Sequence, residues 1–166
     1  MQKVLSTYSV LMKKAFNEDI EESWVDWAFE MIKAGYESEY LYILAGITKP
    51  YNQFELQALT DKVIAELNLD ISDRMLTIRN YAYYIISISI NEQSKYFTTL
   101  KELKDICIDL DMEHEYMNFY LLYYAKDDLN ESEDQWYWEE ANRSNIDDII
   151  KAEFQAYMNK IDNVRL

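Results

Sequence analysis

Apolar side chains recur along most of the chain at alternating steps of three and four residues, which is the spacing of an amphipathic helix. The first stripe comprises Val4, Leu5, Tyr8, Leu11, Met12, Ala15 and Phe16. The second comprises Ile20, Trp24, Trp27, Ala28, Met31 and Ile32. Further stripes follow at 97–110, 112–123 and 146–161. The pattern therefore predicts a helix over each of these segments.

Glycines and capping residues stand at the edges of the early stripes. Gly35 follows the second stripe, and glycine readily takes the left-handed conformation that ends helices. A short helix from Ser38 to Ala45 then ends at Gly46. Asn52, three residues before Glu55, predicts the start of a fourth helix that runs to about residue 68.

The segment from 73 to about 92 is open to two interpretations. Asp70 and Ser72 precede it as candidate caps. Tyrosine and isoleucine crowd 81–90, and both favour strands, while Ile88 and Ile90 alternate with a serine as strand residues do. Because about 20 residues pass without glycine or proline, we interpret the segment as a helix.

Two later sites repeat the spacing of a helix start. Ser132 precedes Gln135 by three residues, and Ser144 precedes Asp147 in the same way. The chain then holds eight or nine helices, and its two glycines and one proline offer too little turn chemistry for a many-stranded sheet. We predict an all-α fold with a single helical domain over 1–166. It is either a multi-helix bundle or an irregular stack of antiparallel helix pairs.

The lengths of the apolar stretches and the number of cysteines indicate the cellular compartment of the protein. The longest apolar stretches fall well short of the ~20 residues that cross a bilayer, and the first residues hold no apolar signal core. Cys107 is the single cysteine, so no internal disulfide forms, and its isoleucine neighbours predict a small buried hydrophobe. We therefore expect a cytoplasmic protein without a membrane span.

The net charge is −15 and is unevenly spread. It is concentrated in 17–39 and 105–140, and Lys126 is the one lysine or arginine of the second segment. This charge argues against nucleic acid and anionic membranes, because both bind through lysine and arginine. A basic protein is the partner that fits. The oligomeric state stays open.

Aromatic residues coincide with the second acidic segment. Carboxylates around aromatic anchors are what a surface needs to hold a basic protein. We predict these partner contacts: Asp127, Asp128, Glu131, Asp134, Trp136, Trp138 and Glu139. The competing interpretation is a solvated face, in which acids after Ser132 stabilise a helix start and Trp136 belongs to the core.

Catalytic and metal chemistry finds little support in the sequence. The single histidine, His114, lies three residues after Asp111, but a second such pair is missing. The acidic stretch 128–139 matches much of a calcium loop, except that Glu133 stands where the sharp turn requires glycine. We expect no catalytic residue, no metal and no cofactor, and hence a protein that is not an enzyme.

A pattern of tryptophan, glycine and leucine in the first third resembles a family of small bacterial proteins. It comprises Trp24-Val25-Asp26-Trp27-Ala28, Gly35, Leu41-Tyr42-Ile43-Leu44-Ala45-Gly46 and Asn52-Gln53-Phe54-Glu55, or WA…G…L..LAG…FE. The resemblance implies an acidic, all-helical fold and transfers no catalytic residue. In size, acidity and helical content the chain is also similar to the immunity proteins of bacterial toxin systems.

Three hypotheses for the function follow. The first is an acidic partner-binding protein, in the manner of an immunity or antitoxin-type inhibitor of a basic toxin or nuclease. The second is a small-ligand-binding protein or enzyme with a tyrosine- and carboxylate-lined pocket between helices, near Arg79, Tyr81 and Tyr84. The third is a helical adaptor or self-associating module.

Overall fold

The computed structural model describes residues 1–165, which form eight α-helices and no β-strand. In chain order they are α1 (Thr7–Ala15), α2 (Glu22–Lys33), α3 (Glu39–Ala45), α4 (Gln53–Glu66), α5 (Arg74–Ser87), α6 (Tyr96–Asp109), α7 (Met117–Glu131) and α8 (Ile146–Arg165). Short 3₁₀ turns lead into α6 and α7. No helix in this range is long and apolar enough to span a bilayer. The all-α prediction is confirmed.

The chain divides into two compact units. The first is Met1–Tyr81, and the second begins at Ala82, so the boundary falls within α5. In each unit, helices that follow one another in the chain are in contact, as α2 is with α3 and α6 with α7. Short connections between contacting neighbours are typical of antiparallel helix pairs. That the whole chain is one domain stays a prediction.

The first unit is built around the tryptophans of α2. Its fully buried side chains include Trp24, Trp27, Met31, Leu41, Leu44 and Val63. The predicted helix ends are confirmed: Gly35 has φ +89°, the Ser38 hydroxyl accepts a hydrogen bond from Leu41 N, and Asn52 Oδ1 accepts one from Glu55 N. The WA…G…L..LAG pattern thus consists largely of core residues and helix stops.

The second unit is built around α8. The predicted stripe of this helix buries Ile146, Ile150, Phe154, Tyr157 and Ile161. The Phe154 ring meets the rings of Tyr96 and Phe119 at centroid distances of 5.4 Å and 5.9 Å. Cys107 is buried as predicted, and burial raises the pKa of its thiol. It is therefore a small apolar residue of the core.

Helix α5 corrects two predictions. Its cap is Asp73, whose Oδ1 accepts from Leu76 N at 2.9 Å, whereas Asp70 Oδ1 accepts from Ser72 N inside the preceding loop. The helix ends at Ser87 instead of continuing to about residue 92, and 88–92 is mostly turn. The helical interpretation of 81–87 is confirmed, and both isoleucines of this segment are buried on the helix.

Candidate functional site

A loop of fourteen residues, 132–145, connects α7 to α8 where the sequence predicted a further helix. Ser132 does not cap a helix. Its hydroxyl accepts from Asp134 N at 3.3 Å and lies 3.0 Å from Asp134 O, which closes a local turn. The prediction failed because serine side chains bond neighbouring backbone groups in turns as well as at helix starts. Helix α8 begins at Ile146, and the Ser144 hydroxyl bonds Asn142 Oδ1.

The side chain of Gln135 organises the tip of this loop. Its Oε1 accepts hydrogen bonds from the backbone N–H groups of Tyr137 and Trp138, both at 2.9 Å. Its Nε2 donates to the carbonyls of Trp138 at 2.5 Å and Ala141 at 3.0 Å. One amide thus satisfies four backbone groups and fixes the path of 136–141.

The second half of the loop is tied down by three further side-chain hydrogen bonds. Asn145 Oδ1 accepts from Asn142 N at 2.8 Å, and Asn145 Nδ2 donates to Glu140 O at 3.0 Å. Arg143 Nε donates to Leu129 O at 2.8 Å, which links the loop to the last turn of α7. Side-chain hydrogen bonds therefore hold the loop in place of helical ones.

The three aromatic residues at the tip differ in exposure. Trp136 is 91 % exposed. Tyr137 is 41 % exposed, and its ring stacks on Tyr124 of α7 at 5.3 Å between centroids and 29° between planes. Trp138 is half-buried. Of the two predicted tryptophan contacts, Trp136 is presented fully and Trp138 only in part, and the core interpretation of Trp136 is wrong.

The stacked tyrosine continues into a row of rings along α7. Tyr124 contacts Tyr123 at 5.2 Å, and Tyr123 stacks on Phe97 of α6 at 4.9 Å. The ammonium of Lys104 lies 4.8 Å from the Tyr123 ring centroid. Asp105 lies 2.6 Å from the same ammonium, and its hydrogen bond raises the pKa of Lys104. This row already holds one cation between an aromatic face and a carboxylate.

The predicted acidic contacts of α7 lie on the face that carries Tyr124. Asp127, Asp128 and Glu131 follow it at steps of three, four and seven residues, which places them on one side of a helix. Leu122 and Leu129 are buried on the other side. In the loop, Asp134 and Glu139 are exposed. We call the following set the aromatic loop surface: Tyr124, Asp127, Asp128, Glu131, Asp134, Trp136, Tyr137 and Glu139.

The carboxylates of the aromatic loop surface are not neutralised by the protein. Among the side chains that the structure describes, none of the five forms an ion pair. Lys126, the nearest cation in the sequence, binds Asp147 at 2.9 Å instead. Arg143 bonds a backbone carbonyl through Nε. The surface therefore keeps a concentrated negative potential around exposed rings.

The remaining candidate positions are those for a metal ion and for a small ligand. The part of the chain that the structure describes holds no group of three or more His, Cys, Asp or Glu side chains able to bind a metal. A cavity of about 260 Å³ lies in the first unit, and Thr77 and Asn80 of α5 contribute to its lining. Arg79, Tyr81 and Tyr84, where we predicted a pocket, do not line it.

Gln135, Tyr124 and Tyr137 are the site residues that the sequence did not identify. Gln135 was interpreted as the partner of a helix cap. The four polar residues at 142–145 were a signal for an ordered loop, because asparagine and serine bond backbone groups in turns. No family model, no curated protein and no solved structure matches the chain. The function is therefore inferred from the residues of the chain.

Proposed function

We propose that this is a cytoplasmic partner-binding protein whose aromatic loop surface covers a basic surface of another protein, as an inhibitor of the immunity or antitoxin type does. One observation carries the proposal. Trp136 is almost wholly exposed on a loop that Gln135 organises, and the carboxylates of the aromatic loop surface have no ion-pair partner among the described side chains.

The energetics of an exposed, fixed tryptophan favour binding. Tryptophan is enriched among the few residues that dominate protein interfaces, and its removal there commonly costs about 2 kcal/mol or more. A side chain on a loop that is already ordered loses little conformational freedom when a partner arrives. Exposure of Trp136 without a partner therefore represents a binding contribution that the chain on its own leaves unused.

The charges of the surface contribute to binding specificity and to the association rate. Five carboxylates without counter-charges attract a basic partner over about one Debye length and orient it during encounter. Lys104 on the Tyr123 ring is a model, within the same row of rings, for how a partner cation is received. We expect lysine or arginine side chains of the partner to lie on Tyr137 and Trp136, with the carboxylates at their edges.

The general character of the chain agrees with this proposal. A net charge of −15 on 166 residues suits an inhibitor of a nuclease, because a nucleic-acid-binding surface is basic. The likeness to immunity proteins in size and helical content points the same way. A toxin-like or nuclease-like product of the neighbouring gene would add independent support.

The proposal is tested by capture followed by measured affinity. The immobilised chain is exposed to an extract of its source cells, the bound basic protein is identified and purified, and its Kd is measured at 50 and 300 mM NaCl. We expect Trp136→Ala to weaken binding by about 2 kcal/mol at either salt concentration. Reversal of Asp127, Asp128 and Glu131 to lysine should weaken it mainly at low salt, because salt screens these charges.

Matched controls lie in the first unit. Phe54 is 88 % exposed there, so Phe54→Ala removes an equally exposed ring outside the surface. Reversal of the exposed Asp19, Asp26 and Glu37 to lysine changes the net charge by the same amount. If these controls weaken binding as much as the test variants, or if Trp136→Ala leaves the Kd unchanged, the proposed surface is wrong.

A further inference from the structure

The first unit contains a cavity that the proposed function does not use. It measures about 260 Å³ and lies between α1, α2, α5 and the segments around residues 3 and 70. Its most buried lining residues are Met31 and Thr77, which are 1 % and 6 % exposed. Lys3 and Asp70, both exposed, stand at its rim. The cavity thus runs from an apolar floor to a charged opening.

The inner part of the cavity is suited to an apolar group. Val4, Leu11 and Leu69 are half-buried in its wall, beside the rings of Tyr8 and Tyr36. The hydroxyl of Thr7, which also lines the cavity, accepts from Trp27 Nε1 at 2.9 Å and lies 3.7 Å from Met31 Sδ. Because that hydroxyl is already committed, the wall offers mainly apolar contact.

The rim presents one positive and one negative group. The Lys3 ammonium lies 4.9 Å from the Tyr8 ring centroid, and in the described chain neither Lys3 nor Asp70 forms an ion pair. Asp70 Oδ1 accepts from Ser72 Oγ at 2.7 Å and from Ser72 N at 2.9 Å. These bonds lower the pKa of Asp70, so the carboxylate stays ionised at neutral pH. Both bonds end on Oδ1, which leaves Oδ2 for a ligand.

The volume limits the size of the ligand. An apolar cavity of about 150 Å³ holds one benzene molecule, so about 260 Å³ corresponds to roughly ten non-hydrogen atoms. A molecule of that size matches the cavity if its body is apolar, like the inner wall, and if it carries one cationic and one anionic group for the two charged residues of the rim. We infer that this cavity binds a free amino acid with an apolar side chain, its carboxylate beside Lys3 and its ammonium beside Asp70.

Three probes that share one phenyl body separate the contributions of the two head groups. Phenylalanine carries both charges, 3-phenylpropionate only the carboxylate and 2-phenylethylamine only the ammonium. Titrations of the full chain, followed by ligand-observed NMR, give the three dissociation constants. Because an exposed charge contact contributes up to about a fivefold gain in affinity, phenylalanine should bind about threefold to fivefold more tightly than either single-charge probe.

Rim variants assign each head group to its residue. Lys3→Gln should weaken the binding of phenylalanine and 3-phenylpropionate by about threefold to fivefold and leave the binding of 2-phenylethylamine unchanged. Asp70→Asn keeps an oxygen for the Ser72 bonds and removes the charge. This variant should weaken the binding of phenylalanine and 2-phenylethylamine and leave the binding of 3-phenylpropionate unchanged. Equal affinity of the three probes for the unaltered chain would overturn the inference.

A cavity-filling variant tests the location. Val4→Phe places a ring in the cavity and should abolish binding of all three probes, whereas Leu5→Phe adds the same ring at a neighbouring residue outside the lining and should not. Circular dichroism checks that Val4→Phe folds, and Leu69→Phe replaces it if it does not. Absence of binding to the unaltered chain, or binding that survives the filled cavity, would overturn the inference. Neither result bears on the aromatic loop surface.

Discussion

At the scale of single residues, two tryptophans of α2 differ in one hydrogen bond. Trp24 and Trp27 are both fully buried, and their rings meet edge to face at 5.6 Å between centroids. Trp27 Nε1 donates to Thr7 Oγ1, whereas Trp24 Nε1 has no hydrogen-bond partner among the described residues. A buried N–H without a partner keeps its desolvation cost, so Trp24 stabilises the fold less than its buried area suggests.

We therefore expect Trp24→Phe to destabilise the protein less than Trp27→Phe. The two changes remove the same volume from neighbouring positions, but only the second breaks a hydrogen bond and leaves the Thr7 hydroxyl without its donor. The free energy of unfolding should be about 1 kcal/mol lower for Trp27→Phe than for Trp24→Phe. Urea unfolding followed by circular dichroism measures both. Equal losses would contradict this account of the two indoles.

Gln135 illustrates where residue-scale prediction from sequence stops. A glutamine three residues after a serine indicates a capping box, and Ser132 supplied the serine. The same amide can instead satisfy four backbone groups of a loop, as it does at 136–141. Both uses are local hydrogen bonds of similar strength, so the sequence does not distinguish them. The acidic and aromatic character of the site was predictable, but the hydrogen bonding of its loop was not.

At the scale of elements, the ends of α2 and α3 offer a matched pair of glycines. Gly35 has φ +89°, and an added Cβ there would meet nothing within 4 Å, so only backbone strain opposes a side chain. Gly46 has φ −87° and ψ −3°, and an added Cβ would meet Ile43 O at 3.5 Å, an ordinary contact. The two positions therefore differ in backbone conformation, whereas both have room for a Cβ atom.

Alanine at the two glycines should change stability in opposite directions. We expect Gly35→Ala to lower the free energy of unfolding by about 1–2 kcal/mol, because alanine is strained in the left-handed region. Gly46→Ala should raise it by up to about 1 kcal/mol, because alanine restricts the unfolded chain. Thermal and urea unfolding of both variants provide the comparison. A similar loss at both sites would mean that Gly46 has a role beyond ending α3.

Helix positions were predictable from sequence to a greater extent than helix boundaries. The stripes in α2, α6 and α8 placed Trp24, Leu103 and Phe154 in the core correctly, since a 3.6-residue period leaves one buried face. The capping residue of α5 was predicted wrongly because Asp70, Ser72 and Asp73 all bear capping oxygens within one turn of each other. Tertiary contacts select among them, and those contacts are not visible in a local pattern.

At the scale of the whole molecule, acidic side chains outnumber basic ones. The net charge is −15, with 31 aspartates and glutamates against 16 lysines and arginines, so the basic residues are too few to neutralise the carboxylates. Charges of one sign repel one another more strongly in the folded chain than in the expanded unfolded chain. The acidic segments therefore lower stability in the free protein, and binding of the proposed basic partner would relieve this cost.

Salt should consequently stabilise the free protein. Raising NaCl from 20 to 300 mM shortens the Debye length severalfold and screens the repulsion, while the exposed ion pairs contribute too little to offset the gain. If screening restores about 1 kcal/mol, the unfolding temperature rises by about 2–4 °C. The variant with lysine at positions 127, 128 and 131 is six charges closer to neutrality, so its rise should be smaller. A lower unfolding temperature at high salt would mean that ion pairs outweigh self-repulsion, and the acidic surface would then be a stabilising feature of the free protein.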